Sequence, residues 1–324
     1  HLNKKMKEKS ELNIVFMGTP DFAATILDTL LQEEYRIKAV VTAPDRPAGR
    51  GRKLNESAVK KLAKEHHLAI LQPTNLKDED FICTLKEYEA DLFIVVAFRM
   101  LPKVVWEIPT LGTFNLHASL LPQYRGAAPI NWAIINGESE TGVTTFFIDE
   151  KIDTGEILLK EKVTIGENET AGELHDRLMH LGATVVVNTV ELIRQEKANP
   201  QAQKEGELKT APKIFKEDCL IDFSLPIQKL HNFIRGMSPY PTAWLKLLHT
   251  ESKQEKTLKV FRSEVISTNK NNKVELLQKD KQLILATQTG ELSLTEVQLE
   301  GKKRLDTAAF LLGFNVKDWE IINN

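Results

Sequence analysis

The sequence predicts an α/β domain followed by a small β-barrel, and three observations carry that prediction. Apolar runs of strand length alternate with helix-period segments across residues 11–195. A polar stretch, Lys197-Ala198-Asn199-Pro200-Gln201-Ala202-Gln203-Lys204-Glu205-Gly206, then breaks the pattern. About five short alternating strands in roughly a hundred residues follow it. At 324 residues and 42% hydrophobic content, the chain is long enough to bury a core in each part.

Residues 13–17 form a short apolar run that stops at Gly18-Thr19-Pro20, and residues 22–31 then take helical spacing. Thr19 suits the N-cap, Pro20 the first helical position, and Asp21 complements the positive end of the helix. Strands are expected at 37–42, 91–97, 113–116, 142–148 and 156–162, and helices at 57–66 and 129–135. Thr170 and Glu173 make a capping box for a long helix running toward Val190. The order describes an open twisted Rossmann-like sheet with flanking helices. Gly18 stands alone where a dinucleotide fingerprint needs three glycines, and Asp21 repels phosphate, so no dinucleotide site is expected. Past the linker, a helix at 225–235 precedes strands at 243–247, 258–266, 273–278, 282–286 and 292–298, which suit a small OB-like β-barrel.

No run approaches the ~20 apolar residues that span a bilayer, and Lys4, Lys5, Lys7 and Lys9 lead into no apolar core of a secretory leader. Cys83 and Cys219 lie far apart without CxxC spacing, so neither a metal site nor a disulfide framework is expected, and a reducing cytoplasm is the natural location. The remaining histidines lack zinc-ligand spacing. Net charge is -2, divided unevenly. Residues 207–324 carry 18 Lys+Arg against 15 Asp+Glu, and residues 1–206 carry 25 against 30. Such a weak basic surplus reads as solvated surface as readily as a nucleic-acid footprint. With no large apolar stripe evident, a monomer is expected.

Three polar residues stand out. Asn115 and His117 sit two apart at a strand end and so project from one face, and Asp153, on the later turn Asp153-Thr154-Gly155, can close a trio. A carboxamide donates to a developing oxyanion, an imidazole titrates near neutrality and a carboxylate orients or charges it, which suits attack on an acyl-type carbon. Turn chemistry with a satisfied histidine explains an isolated Asn-x-His equally well. Ser119 shares no nucleophile-elbow sequence, which sets aside a serine hydrolase. The loop Pro44-Asp45-Arg46-Pro47-Ala48-Gly49-Arg50-Gly51-Arg52-Lys53 is too rich in Gly and Pro for helix or strand, and its cations serve either solvent or an anionic ligand.

With those motifs in place, the chain resembles the methionyl-tRNA formyltransferases. The resemblance rests on Phe16-Met17-Gly18-Thr19-Pro20-Asp21-Phe22-Ala23, on the arginine loop through Leu54, on the stretch from Asn115 to Gly126-Ala127-Ala128-Pro129-Ile130, and on Asp153-Thr154-Gly155. It implies 10-formyltetrahydrofolate as co-substrate, with no metal, and Asn115, His117 and Asp153 as catalytic residues. It further implies a pterin pocket lined by Ser119, Leu120, Leu121 and Pro122, and an arginine loop whose Arg46, Arg50, Arg52 and Lys53 meet initiator tRNA. One departure is Ala97-Phe98-Arg99-Met100-Leu101-Pro102, a residue shorter than usual for the family and carrying Arg99 in place of a Tyr-Gly loop.

On this reading residues 1–10 are a foreign remnant and disordered start, 11–195 the formyltransferase catalytic domain, 196–218 a linker and 219–324 an OB-like tRNA-binding domain. Rival readings are formyl transfer to glycinamide ribonucleotide or an amino-sugar, hydrolysis of the folate, or a non-catalytic tRNA-binding protein. The first three would keep the trio but lack the arginine loop together with a tRNA-sized barrel, and the intact trio speaks against the last.

Overall fold

The structure is a computed structural model describing residues 6–51 and 53–322. The chain divides into two compact units. One is built from the chain up to Gly126 with Gly142–Val163 and His175–Thr210, the other from Ala127–Thr141, Thr164–Leu174 and the chain from Ala211 onward.

In the first unit the elements run β1 (Asn13–Gly18), α1 (Asp21–Gln32), β2 (Arg36–Val41), β3 (Arg46–Ala48), β4 (Lys53–Asn55), α2 (Ala58–Glu65), β5 (Ala69–Leu71), α3 (Glu79–Glu87), β6 (Leu92–Val96), α4 (Lys103–Trp106), β7 (Thr113–His117) and β8 (Arg125–Gly126). Next along the chain come α5 (Pro129–Ile135), which belongs to the other unit, β9 (Glu140–Phe147), β10 (Ile157–Thr164) and α6 (Ala171–Arg194). The main sheet has the order β10-β9-β7-β6-β1-β2-β5. β1 pairs in parallel with both β2 and β6, and β6 in parallel with β7, while β7 meets β9 antiparallel. This confirms the predicted Rossmann-like sheet. The loops after β1, β2, β6 and β7 therefore all leave from one edge, where strand order reverses about β1, the usual place for a ligand.

β6 is apolar at every position and β1 is apolar from Ile14 to Met17, and those stretches are almost wholly buried, as strands covered on both faces must be. Phe16, Phe93, Phe114 and Phe146 are among the largest fully buried side chains of the core. Each contributes on the order of 1.5–3 kcal/mol by leaving water. α3, which the periodicity did not single out, covers one face with Phe81, Ile82 and Leu85. Gly18 is a true requirement: a Cβ there would stand 2.6 Å from Ala23 Cβ and 2.7 Å from the Val96 carbonyl oxygen.

Some local expectations change. α1 begins at Asp21 with Pro20 at the cap and no side-chain cap bond, and the Thr19 hydroxyl instead accepts from the Ala43 amide at 3.3 Å. The arginine loop, expected to be neither helix nor strand, is a short β3/β4 hairpin pairing Arg46 with Asn55 and Pro47 with Leu54. Its glycines explain this, because Gly49 (φ 62°) and Gly51 (φ 116°) supply the turn that other residues resist. Of the start expected to be disordered, residues 1–5 lie outside the described residues. Lys7 pairs with Asp91 at 2.7 Å and Lys9–Glu11 forms a 3-10 turn, so a charged side chain anchors that segment. The capping box stands as predicted, with the Thr170 amide donating to Glu173 Oε1 at 3.1 Å and the Glu173 amide to Thr170 Oγ1 at 3.2 Å.

The second unit continues with β11 (Thr210–Ala211), α7 (Ile227–Met237), β12 (Ala243–His249), β13 (Glu255–Ser267), β14 (Glu275–Lys279), β15 (Gln282–Thr287), β16 (Gly290–Leu299), β17 (Leu305–Asp306), α8 (Thr307–Leu311) and β18 (Trp319–Ile321). Its sheet has the order β14-β15-β16-β13-β12-β18, with β14 lying beside β18, so the predicted barrel is nearly closed. Register shifts along β13 at Val260, Arg262 and Val265 let that long strand bend, which closure needs. The sequence reading ran the first domain unbroken to residue 195, yet α5 and residues 164–174 cluster with this unit. Asn131 Nδ2 donates to the Gly236 carbonyl of α7 at 2.8 Å, and Arg235 donates to the carbonyls of Gly166 and Glu169. No helix among the described residues is long and apolar enough to cross a membrane.

Candidate active site

β7 carries the first two members of the trio. Its alternation buries Phe114 and Leu116 on one face and turns Asn115 and His117 to the other. Val95 of β6 flanks Asn115 on one side and Phe146 of β9 on the other, so the strand is held from both edges. Asn115 Oδ1 is buried with no hydrogen-bond partner among the described residues. Such an atom is costly unless something bound supplies a donor.

His117 is 7% exposed, and its Nε2 lies 2.7 Å from the Tyr124 carbonyl oxygen. A carbonyl can only accept, so Nε2 carries hydrogen and the nitrogen left to exchange a proton is Nδ1. Nδ1 faces Asp153 Oδ2 at 3.8 Å, within ion-pair reach but too long for a direct hydrogen bond. The trio predicted from sequence is thus brought together.

Asp153 takes a left-handed backbone conformation (φ 58°), which costs a non-glycine residue about 1–2 kcal/mol. Several bonds offset this. Oδ2 accepts from the Gly126 amide at 3.0 Å, and the Asp153 carbonyl accepts from Arg125 Nε at 3.1 Å and Gln203 Nε2 at 2.8 Å. Two residues on, a Cβ at Gly155 would stand 1.6 Å from the Phe147 carbonyl oxygen, so only glycine lets the turn lie this close to β9. The turn opens with Asp149 Oδ1 accepting from the Lys151 amide and the Thr154 hydroxyl.

The expected pterin wall divides in two. Ser119 and Leu121 are wholly buried, whereas Leu120 and Pro122 keep exposed surface. The Ser119 hydroxyl donates to the Gln123 carbonyl at 2.7 Å, and Thr144 Oγ1 accepts from the Leu121 amide while donating to the Ser119 carbonyl. Ser119 and Leu121 therefore brace the turn, its own hydrogen bonds and those to Thr144 drawing them inward.

Arg46, Arg50 and Lys53 are exposed on the hairpin, and Arg52 lies outside the described residues. The hairpin is rooted by Asp45, whose carboxylate accepts from Lys60 Nζ and from Gln72 Nε2, each at 2.8 Å. The Lys60 and Gln72 hydrogen bonds hold that carboxyl below the usual carboxylate range. Arg99, the family departure, donates to the carbonyls of Pro73 and Thr74 and lies over the Phe98 ring at 5.1 Å. Burial, and secondarily the Arg46 charge, lower its pKa.

Tyr124, Arg125, Gly126 and Gln203 were missed as site residues. The first three stood inside a quoted motif without a role; Gln203 carried no signal within its polar stretch. That stretch is strapped to the first unit, with Gln201 and Ile157 exchanging backbone bonds and the Tyr124 amide donating to the Lys209 carbonyl at 2.7 Å. Among the described residues no group of three or more His, Cys, Asp or Glu could hold a metal ion.

A mostly parallel sheet with a carboxamide, an imidazole and a carboxylate gathered at one edge defines an α/β protein with a polar site at the ends of its strands. The chain belongs to the formyl transferase family, whose pattern matches residues 12–190 and whose C-terminal domain pattern matches residues 213–315. It is 50% identical to the methionyl-tRNA formyltransferase of Flavobacterium johnsoniae over 310 residues, covering 95% of this chain and 98% of that protein. It is likewise 50% identical to the methionyl-tRNA formyltransferase of Bacteroides thetaiotaomicron over 317 residues, covering 96% and 98%. Among solved structures, the sugar 3N-formyl transferase WlaRD, in the presence of dTDP and 5-N-formyl-THF, matches with a TM-score of 0.65 at 20% identity over 90% of this chain and 99% of that one. HypX from Aquifex aeolicus, in complex with tetrahydrofolic acid, matches with a TM-score of 0.63 at 18% identity over 93% of this chain and 47% of that one. At such identities these two establish the fold alone.

Proposed function

We propose that this chain transfers the formyl group of 10-formyltetrahydrofolate to the α-amino group of methionyl initiator tRNA, giving N-formylmethionyl-tRNA and tetrahydrofolate. The observation that carries the reading is the trio, set in a chain half identical to two methionyl-tRNA formyltransferases over almost its whole length. The folate supplies an activated formyl carbon on N10. The residues fit such a substrate, since Asn115 Oδ1 is buried and unmatched while Leu120 and Pro122 offer an apolar edge beside it in sequence.

Asn115 donates through its amide nitrogen to the formyl oxygen as that oxygen gains charge. His117, with Nε2–H engaged by Tyr124, acts through Nδ1, where protonation pairs it with Asp153 and adds a second donor. Asp153 accepts the proton released by the attacking amine and returns it to departing N10. An α-amino group with pKa near 8 is already partly neutral at pH 7, so position matters more here than base strength.

The hairpin cations Arg46, Arg50, Arg52 and Lys53 contact the acceptor end of the tRNA, with Arg50 at the tip as the principal contact. The first unit forms the catalytic domain, and the barrel within residues 219–324 adds non-specific phosphate contacts. Binding should therefore weaken as salt rises, and a flat salt response would remove the barrel from the interface. The enzyme works as a monomer in the cytoplasm.

The deciding experiment is formyl transfer from 10-formyltetrahydrofolate to charged initiator tRNA, run beside uncharged tRNA, glycinamide ribonucleotide and water as acceptors. Formyl on methionyl-tRNA alone is the expected result. Equal transfer to another acceptor would overturn the assignment.

A further inference from the structure

The geometry points to Gln203, with Arg125, as a positioning pair that sets the carboxylate of Asp153 for proton transfer; this rests on the role proposed above for Asp153. The side chain of Gln203 spends its polar atoms on one task. Its Nε2 donates to the carbonyls of Asp153 and Gly155, both at 2.8 Å, and its Oε1 accepts from Arg125 Nη2 at 2.7 Å and Nε at 3.2 Å. Arg125 Nε is shared with the Asp153 carbonyl at 3.1 Å. One carboxamide and one guanidinium thus hold the carbonyl of a residue kept at φ 58°, and the carboxamide also holds the carbonyl two residues on.

The grip bears on chemistry because of what Arg125 is joined to. Tyr124, before it, presents the carbonyl that orients His117, and Gly126, after it, presents the amide that holds Asp153 Oδ2. Three consecutive residues therefore set the His117 and Asp153 partners, and Gln203 ties the turn of Asp153 to that segment. Neither Gln203 nor Arg125 has a hydrogen bond to Asn115 or His117 among those described, so its influence on the reaction runs through Asp153. The residue comes from a stretch that composition reads as a plain linker, and its strapping along Ile157 explains how a linker residue reaches the site. Misplacement of a reacting group by about 1 Å costs up to ~10²-fold in rate, which is the scale a lost grip would produce.

The test is a double-mutant cycle on the full-length enzyme in single-turnover formyl transfer to charged initiator tRNA. Gln203→Met keeps the length of the side chain and removes its amide donors and acceptor. Alone it should lower kcat about 10- to 100-fold while KM for folate and for tRNA stays within about twofold. In an Asp153→Ala background the same change should cost less than about twofold, since its effect passes through the missing carboxylate. Arg125→Lys, which keeps charge but loses the fork, should fall between wild type and Gln203→Met. A full loss from Gln203→Met in the Asp153→Ala background, a loss confined to KM, or no loss overturns the positioning role while leaving the proposed function intact. Asp153→Ala with wild-type turnover would instead overturn the proposed site and the role of the pair together. Thermal melting of each variant separates these outcomes from simple unfolding.

Discussion

The trio pocket and the arginine hairpin are built on opposite principles, although the parallel strands send both from one edge of the same sheet. β2, which leads into the hairpin, and β7, which ends in His117, are separated by β1 and β6. Three strand spacings put their roots roughly 14–15 Å apart along the sheet. At the pocket the supports are fixed, His117 by Tyr124 and Asp153 by Gly126, Arg125 and Gln203, while Asn115 Oδ1 is left without a partner among the described residues. At the hairpin, one buttress of Asp45 with Lys60 and Gln72 holds the root, and Arg46, Arg50 and Lys53 beyond it are exposed. Reaction chemistry needs groups held to within a fraction of an ångström, whereas contact with a flexible polyanion needs charge that can adapt. The two regions should accordingly fail in different kinetic parameters.

The largest effect is expected at the pocket. Asn115→Ala should lower kcat about 10²- to 10³-fold with folate binding unchanged, as measured by single-turnover transfer and equilibrium folate titration. Near-normal turnover would remove Asn115 from the oxyanion site. Next comes Gly155→Ala, whose added methyl cannot share space with the Phe147 carbonyl. It should shift the Asp153 turn and reduce kcat by ~10-fold or more, with a lower melting temperature; an unchanged kcat would show that the turn tolerates displacement.

At the hairpin the loss should appear in kcat/KM for tRNA. Arg50→Ala should reduce it about 10-fold, leave folate affinity unchanged and flatten the salt dependence of tRNA binding by about one unit of slope. A loss in kcat with saturating tRNA would break the contrast between the two regions. The smallest effect is expected from Asp45→Asn, which removes the root carboxylate. Trypsin should then cut at Arg50 a few-fold faster at neutral pH, with turnover little changed. The sign with pH follows from the lowered pKa of Asp45: its ion pair is intact above the ordinary carboxylate range and is lost as pH falls through the lower folded value. Hairpin cleavage in the native enzyme, divided by cleavage of an unstructured control peptide at the same pH, should therefore stay level from pH 8 to about pH 5.

Much of the frame was legible in advance. β1, β6 and β7, the capping box at Thr170 and Glu173, and the strands of the barrel follow from apolar periodicity and from cap chemistry, both of which act over a few residues. α3 escaped notice because only Phe81, Ile82 and Leu85 mark its buried face within a charged segment. The hairpin was hidden by its own Gly and Pro content, which argues against strand while supplying the turn that makes one. That Ser119 and Leu121 of the expected pterin wall are buried while Leu120 and Pro122 keep exposed surface was not legible, since sequence does not reveal which way a turn folds.

By itself the sequence determined which groups could perform the transfer and that Asn115 and His117 share a face, because side-chain alternation along a strand is a local property. Tertiary structure alone decided which nitrogen of His117 is free, how Asp153 is aimed and that Gln203 belongs to its support. Those facts depend on contacts such as Arg125 with Asp153, 28 positions apart, and Arg125 with Gln203, 78 apart. Such pairings arise only when the packed sheet brings distant backbone together, and no local pattern in the chain encodes them.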